Sequence, residues 1–258
     1  MQINIEAVLR RGVDRTVARN GLLLVGILFV VSTVNAIVGL GVARWVANRG
    51  VFPTGLPFPR GTGAAAALFA VPPGVGGLVS LLAGLVTVVL TIGALRLFVS
   101  DETERLPREY FTRNLVWPGL NFIVGTVVFA VIVGFGLVLF VVPGVFLLVA
   151  LAFWTVYVAV EDRGFVAGMR ESWALTRGRR TRLFLLGVAV VLVQILVSAV
   201  FGIGGPALGL LGVVLGQAGS ALATVFALAT LAAAYEQLLA LPAEEEPVTT
   251  DRETASPA

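Results

Sequence analysis

The chain reads as an all-α protein: a polytopic membrane helix bundle of six transmembrane helices with amphipathic cytoplasmic helices. Three observations predict this. First, 58% of its 258 residues are hydrophobic and only 13% are charged, about half the charged share of a soluble domain. Second, the apolar residues gather into uncharged runs, and a run of ~20 such residues is long enough to cross a bilayer as a helix. Third, the loops between these runs alternate between Arg-rich and Arg-poor, as loops on opposite sides of a membrane do.

Taken in order, residues 1–20 form an amphipathic helix on the cytoplasmic side. Ile5, Leu9, Val13 and Val17 recur at i, i+4, with Arg10, Arg11, Arg15 and Arg19 opposite. The first span covers 21–42; its apolar core and the segment before it are both long for a cleaved signal, so it is read as a retained span. Residues 43–75 make a Pro- and Gly-rich external loop. Its GAAAALFAV stretch at 63–71 is too short to cross; it lies on the outer surface or dips in as a re-entrant turn. The second span covers 76–98. Residues 115–160 carry no charged side chain, too long a run for one span and right for two. Pro143-Gly144 divides it, because Pro removes a backbone donor and Gly turns cheaply, giving spans at 118–141 and 144–160. The fifth span covers 183–203, Gly202, Gly204, Gly205 and Pro206 make a turn, and the sixth covers 207–235. The membrane domain is thus 21–241. Residues 242–258 form an acidic tail without apolar periodicity, expected to be disordered.

Orientation follows from arginine, since all 18 basic residues are Arg. Fifteen lie in the N-terminal segment, the second loop, the 161–182 segment and the C-terminal tail; three lie in the 43–75 loop. The positive-inside rule puts both termini in the cytoplasm, in a multi-pass protein of the cell membrane. Net charge is +3, but the tail is −4, so the rest carries +7. That balance suits contact with anionic lipid headgroups. Nucleic acid is not expected, because the arginines are scattered among membrane spans.

The absence of His and Cys excludes a Cys/His zinc site, a thiol nucleophile, a disulfide and a Ser-His-Asp triad. No phosphate-binding glycine loop is present. The carboxylates cluster in two loops, Asp101, Glu102, Glu104 and Glu109 in one, Glu161, Asp162 and Glu171 in the other. Paired carboxylates can catalyse or hold a cation; here they sit among arginines, where ion pairs and helix caps account for them. The protein is therefore read as no enzyme, with no metal and no cofactor. Inside the spans the notable polar groups are amides, Asn35, Asn121, Gln194 and Gln217. Ion-coupled transport ordinarily uses intramembrane carboxylates or His, so the amides are read as helix-to-helix hydrogen bonders. Gly212, Gly216, Ser220 and Thr224 form a small-residue ridge on the sixth span that lets helix backbones approach, within the bundle or between copies of the chain.

The segment EDRGFVAGMRESWALTRGRR at 161–180 is the densest polar block beside a span. As a helix it gathers Phe165, Val166, Met169 and Trp173 into one arc, flanked by Arg170 and Arg177, with Asp162 capping its start and Gly178 ending it. An aromatic arc edged by Arg is the pattern of an interfacial helix whose guanidinium heads reach phosphates. Arg170, Trp173, Arg177, Arg179 and Arg180 are the expected headgroup contacts. The 101–114 loop repeats the pattern with Leu106, Tyr110 and Phe111 among Arg105, Arg108 and Arg113, so three segments together predict a basic-aromatic collar at the inner leaflet.

One family shares this motif. Pro143-Gly144, an apolar helix, Glu161-Asp162, then Ala167, Ser172, Trp173, Leu175, Thr176 and Gly178 resemble a segment of prokaryotic membrane proteins related to the membrane domain of glycerophosphodiester phosphodiesterase. The FVSDETERLPREYFTRN segment resembles one in uncharacterised haloarchaeal members of that group. The resemblance implies a six-helix membrane protein. Phosphodiesterase activity does not carry over, since it belongs to a separate soluble domain that uses His.

The functional expectation is a non-enzymatic integral membrane protein of membrane organisation or of lipid and envelope homeostasis, with anionic lipids, and either a second copy or another membrane protein, as partners. The alternative is a transporter or permease for a small neutral or lipid-like solute.

Overall fold

A computed structural model describes residues 3–49, 70–101, 107–203 and 208–241. Ten helices follow in order among these residues: α1 Ile5–Val17, α2 Arg19–Asn48, α3 Pro73–Val99, α4 Glu109–Thr112, α5 Val116–Leu139, α6 Val141–Ala150, α7 Trp154–Val160, α8 Phe165–Leu175, α9 Arg180–Gly202 and α10 Leu210–Leu239. No strand occurs among them. Six segments are long and apolar enough to cross a membrane: Arg19–Val46, Pro73–Val99, Val116–Leu139, Val141–Val160, Arg180–Gly202 and Leu210–Leu239. The predicted spans fall on these six. The external loop with its 63–71 stretch, the Gly204–Pro206 turn and the acidic tail lie outside the described residues.

Helix α10 is the hub of the bundle. It packs along α1, α2, α3 and α9, and small residues on it make this possible. Ala221, Ala223, Ala229, Ala232, Ala233 and Ala234 are all buried, so four neighbours can approach one helix closely. Elsewhere the helices present Val, Leu, Ile and Phe outward, as Leu81, Val131 and Leu196 do at 61%, 64% and 64% exposure. An apolar exterior of this kind is stable only in lipid.

Three local details differ from the expectation. Pro143-Gly144 does not form the turn between the third and fourth spans. The chain reverses at Phe140, which is fully extended (φ −156°, ψ 135°), and Pro143 falls in the first turn of α6, where its missing N–H costs nothing. Gly144 instead lets the hairpin close: a Cβ there would stand 2.5 Å from Leu137 Cγ, and one on Gly136 would stand 2.9 Å from Gly144 Cα. The fourth span is also not one helix, for α6 ends at Ala150 and α7 starts at Trp154 after a turn. Finally, only the first half of the Ile5–Val17 stripe of α1 is turned inward. Ile5 and Leu9 pack against the core beside Val8, and Gly12 meets Thr230 of α10, while Val13 and Val17 are 47% and 58% exposed. Gly12 is required there, because any side chain would collide with Thr230.

Candidate functional site, the polar end of the bundle

Apart from Arg44 and Arg49 at the far end of α2, the charged side chains of the described residues gather at one end, where α1, the start of α9, the end of α10 and the loops after α3 and α7 meet. Three links tie these segments. Asn4 caps α1 by accepting from the Ala7 N–H, and its own backbone N–H donates to Gln237 Oε1 (3.1 Å). Arg182 Nη1 donates to the Ile3 carbonyl (3.2 Å). Arg15 reaches across to the loop after α3 and to α10 together.

Arg15 is the anchor. Only 4% of it is exposed. Its Nη2 donates to Asp101 Oδ1 (2.7 Å) and to Glu236 Oε1 (2.8 Å), and Nε also donates to Asp101 Oδ1 (3.2 Å). Arg11 joins the same two carboxylates at 3.1 and 3.5 Å. A buried guanidinium persists only when paired and hydrogen-bonded, and two carboxylates from different elements do that here. The hydrogen bonds from Arg15, reinforced by both guanidinium charges, hold the Asp101 carboxyl below its ordinary pKa.

Arg96, near the end of α3, ties down the loop after α7. Its Nε donates to the Ala159 carbonyl (2.6 Å), Nη1 to the Arg113 carbonyl (2.8 Å) and Nη2 to Asp162 Oδ1 (2.8 Å). These groups border a cleft of about 250 Å³ lined also by Ser100, Glu109 and Tyr110. Asp101 and Asp162 share a device. Each follows the end of a helix, takes a left-handed backbone (φ 56° and 53°), and turns its carboxylate to an arginine. Asp tolerates that region better than most residues. Asp162 is therefore not the cap of α8: Gly164 holds that position without a side-chain bond, since Arg96 already occupies the Asp162 carboxylate. Glu161 accepts from the Tyr235 hydroxyl (2.6 Å), and Arg163 lies between Glu161 and Glu171, 3.5 Å from each. The carboxylates are thus dispersed among arginines and a tyrosine. Glu102 and Glu104 lie outside the described residues, and no group of metal-ligating side chains occurs among those described.

Helix α8 folds back along α7, and its inner face differs from the predicted arc. Gly168, Met169 and Ser172 are buried, whereas Val166 is 65% and Trp173 is 40% exposed. The buried face repairs the break in the fourth span. Ser172 Oγ donates to the Ala150 carbonyl (3.0 Å) and accepts from the Phe153 N–H (3.0 Å); Thr176 Oγ1 also donates to Ala150 (3.2 Å). These hydroxyls satisfy backbone groups that the turn at 151–153 leaves unpaired, as backbone groups buried in the protein require. Asn121 on α5 does the same for the start of α8, its Oδ1 accepting from the Phe165 N–H (3.0 Å) while its Nδ2 donates to the Trp117 carbonyl. Sequence reasoning missed this role, although Gly168, Ser172 and Thr176 at four-residue spacing were a legible signal of close packing. Gly178 has a left-handed backbone (φ 75°) in the turn that separates α8 from α9.

The five predicted headgroup residues fall as follows. Arg170 and Arg177 are exposed at the polar end and take part in no ion pair among the described residues. Arg180 lies over both Trp173 and Phe146, its guanidinium carbon 4.3 and 4.6 Å from the two ring centres, a cation–π arrangement. Arg179 is half-buried and has interactions of its own. Of the small-residue ridge, Gly212 is buried, but nothing approaches Gly216, and Ser220 and Thr224 are exposed. The close approach to α9 is made at Gly219 instead, where a Cβ would stand 2.7 Å from Phe201 Cβ. Gly216, Ser220 and Thr224 line a groove of about 410 Å³ with Gln194 and Ser198 of α9.

A helical fold with an apolar exterior and six membrane-length segments defines a multi-pass membrane protein. Residues 3–238 match the family described as a domain of unknown function (DUF7847), and the chain belongs to that family. No curated protein and no solved structure matches it.

Proposed function

We propose that this is a non-enzymatic protein of the cell membrane, with both termini in the cytoplasm, whose polar end binds anionic lipid headgroups in the service of membrane organisation or lipid and envelope homeostasis. The observation that carries the reading is a division of labour among arginines. Arg11, Arg15, Arg96 and Arg163 are committed to carboxylates of the protein itself, whereas Arg170 and Arg177 stand exposed on the same end beside Trp173. The commitment of Asp101, Glu161 and Asp162 to structural partners supports a non-catalytic role. Kinship with the membrane domain of glycerophosphodiester phosphodiesterase belongs to this proposal, supported by the motif at 143–178.

The test is lipid retention by the full-length protein in nanodiscs of mixed anionic and zwitterionic phospholipid. Each surface arginine near anionic lipid is worth about 1 kcal/mol. The double variant R170Q/R177Q is therefore expected to lose about 2 kcal/mol, roughly thirtyfold, of anionic preference. An unchanged preference would overturn the reading. The alternative, a transporter or permease for a small neutral or lipid-like solute, draws on the groove between α9 and α10, where Gln194, Ser198, Ser220 and Thr224 set polar groups at membrane depth.

A further inference from the structure

We infer that α5 and α6 do not cross the membrane but lie as an apolar hairpin within the leaflet at the polar end, an interaction surface for the acyl chains of that leaflet alone. Contacts between the helices fix their levels along the bundle. Arg182 bonds Ile3 and Asn4 bonds Gln237, so the start of α9 stands level with the end of α10. Glu236 and Asp101 share Arg15, which sets the end of α3 at the same level. Towards the far end Gly219 meets Phe201, so α9 runs beside α10 to its own end, and α10 continues about nine residues, ~13 Å, beyond it.

The hairpin does not follow this axis. Its entrance is at the polar end: Arg113, just before α5, bonds Arg96, and Phe111 packs on Gly93 of α3. Phe146 is on α6, well along the hairpin, and it too is at the polar end, under the Arg180 guanidinium. Gly136 faces Gly144, so Phe146 stands opposite α5 about eighteen residues from its start, ~27 Å at helical rise. Two points ~27 Å apart along α5 thus share one level, and the hairpin runs across the bundle axis. From Phe146 to the tip at Phe140 is a further ~9 Å, whereas α9 extends ~33 Å beyond Arg180. The tip therefore falls short of the far end by ~24 Å.

The faces of the hairpin fit this placement. Val116, Val127, Val131, Phe135, Val138, Phe140 and Val142 are between 61% and 85% exposed, and the stretch has no charged side chain. The outward halves of α3 and α9 are also left bare, Leu78, Leu82, Ile195 and Val200 being 54–59% exposed, which two further crossing helices packed there would cover. An uncharged hairpin attached to a membrane bundle at headgroup level is stable in acyl chains and not in water. Its occupancy of one leaflet only adds area to that side.

The inference rests on membrane residence and not on headgroup binding, so loss of anionic preference in R170Q/R177Q leaves it untouched. The absence of native Cys permits single spin labels at V116C, V127C and V138C in the full-length protein in nanodiscs, all at exposed sites. Power-saturation depth measurement reads the outcome. The expected profile is flat, or deepens steadily towards residue 138. A profile deepest at residue 127 with both 116 and 138 near the surface would overturn the inference, since a crossing hairpin requires it. A second reading uses the spin-label distance between F140C and I203C, expected at or beyond about 24 Å; a shorter distance contradicts it.

Discussion

Ser172 shows how a single side chain holds this fold together. It is wholly buried and serves two backbone groups at the break in the fourth span, the Ala150 carbonyl and the Phe153 N–H. In S172A the carbonyl keeps Thr176, but the Phe153 N–H loses its acceptor. A buried unsatisfied donor costs about 1–3 kcal/mol. The variant is expected to unfold earlier by that amount in denaturant titration of the detergent-solubilised protein, and unchanged stability would show that water or another group fills the role. Only part of this was legible in the sequence. The motif around Ser172, Trp173 and Thr176 stands out, but the break it repairs has no Pro or Gly to mark it. Helical spacing alone placed Met169 on the outer arc with Trp173; the fold-back of α8 onto α7, fixed by Asn121 and Arg96 far away in sequence, buries Met169 and leaves Trp173 at the edge.

At the scale of elements, the ion pairs join helices that the sequence presents as separate. α1, the end of α3 and α10 are locked by Arg11, Arg15, Asp101 and Glu236. Because the folded Asp101 carboxyl titrates below its ordinary value of 3.8, its contribution is fully present above that pH and is lost as pH falls through the lower folded value. Acid titration of stability in detergent should therefore fall off below about pH 3.8, and D101N should be less stable at neutral pH with a shallower acid limb. An acid limb identical in both proteins would show that Arg15 is held by Glu236 alone. The helices themselves were readable to within a few residues, because twenty-residue hydropathy is a strong signal. Their ends were less so. Pro143-Gly144 carries the usual marks of a turn, yet Pro is at home in the first helical turn and Gly144 is needed for contact with Leu137. The reversal falls on Phe140, which carries no turn mark at all.

For the whole molecule, arginine placement and the fold agree on one point: the Arg-rich segments that the sequence groups on one side do meet at one end. The alternation of loops is insensitive to the course of α5 and α6, because a hairpin that crosses twice and one that stays in a single leaflet return the chain to the same side. The sequence has no means of separating these cases, since both demand an uncharged run of the same length; only the levels of Phe146 and Arg180 separate them. Headgroup binding at the polar end requires that this end face the cytoplasm. The most direct test is side-specific labelling of S100C and I203C, each introduced singly into the Cys-free protein, with a membrane-impermeant maleimide. Ser100 and Ile203 are exposed at opposite ends. In intact cells the positive-inside rule predicts labelling of I203C, with S100C labelled only after permeabilisation; labelling of S100C in intact cells, with I203C protected, would contradict the account.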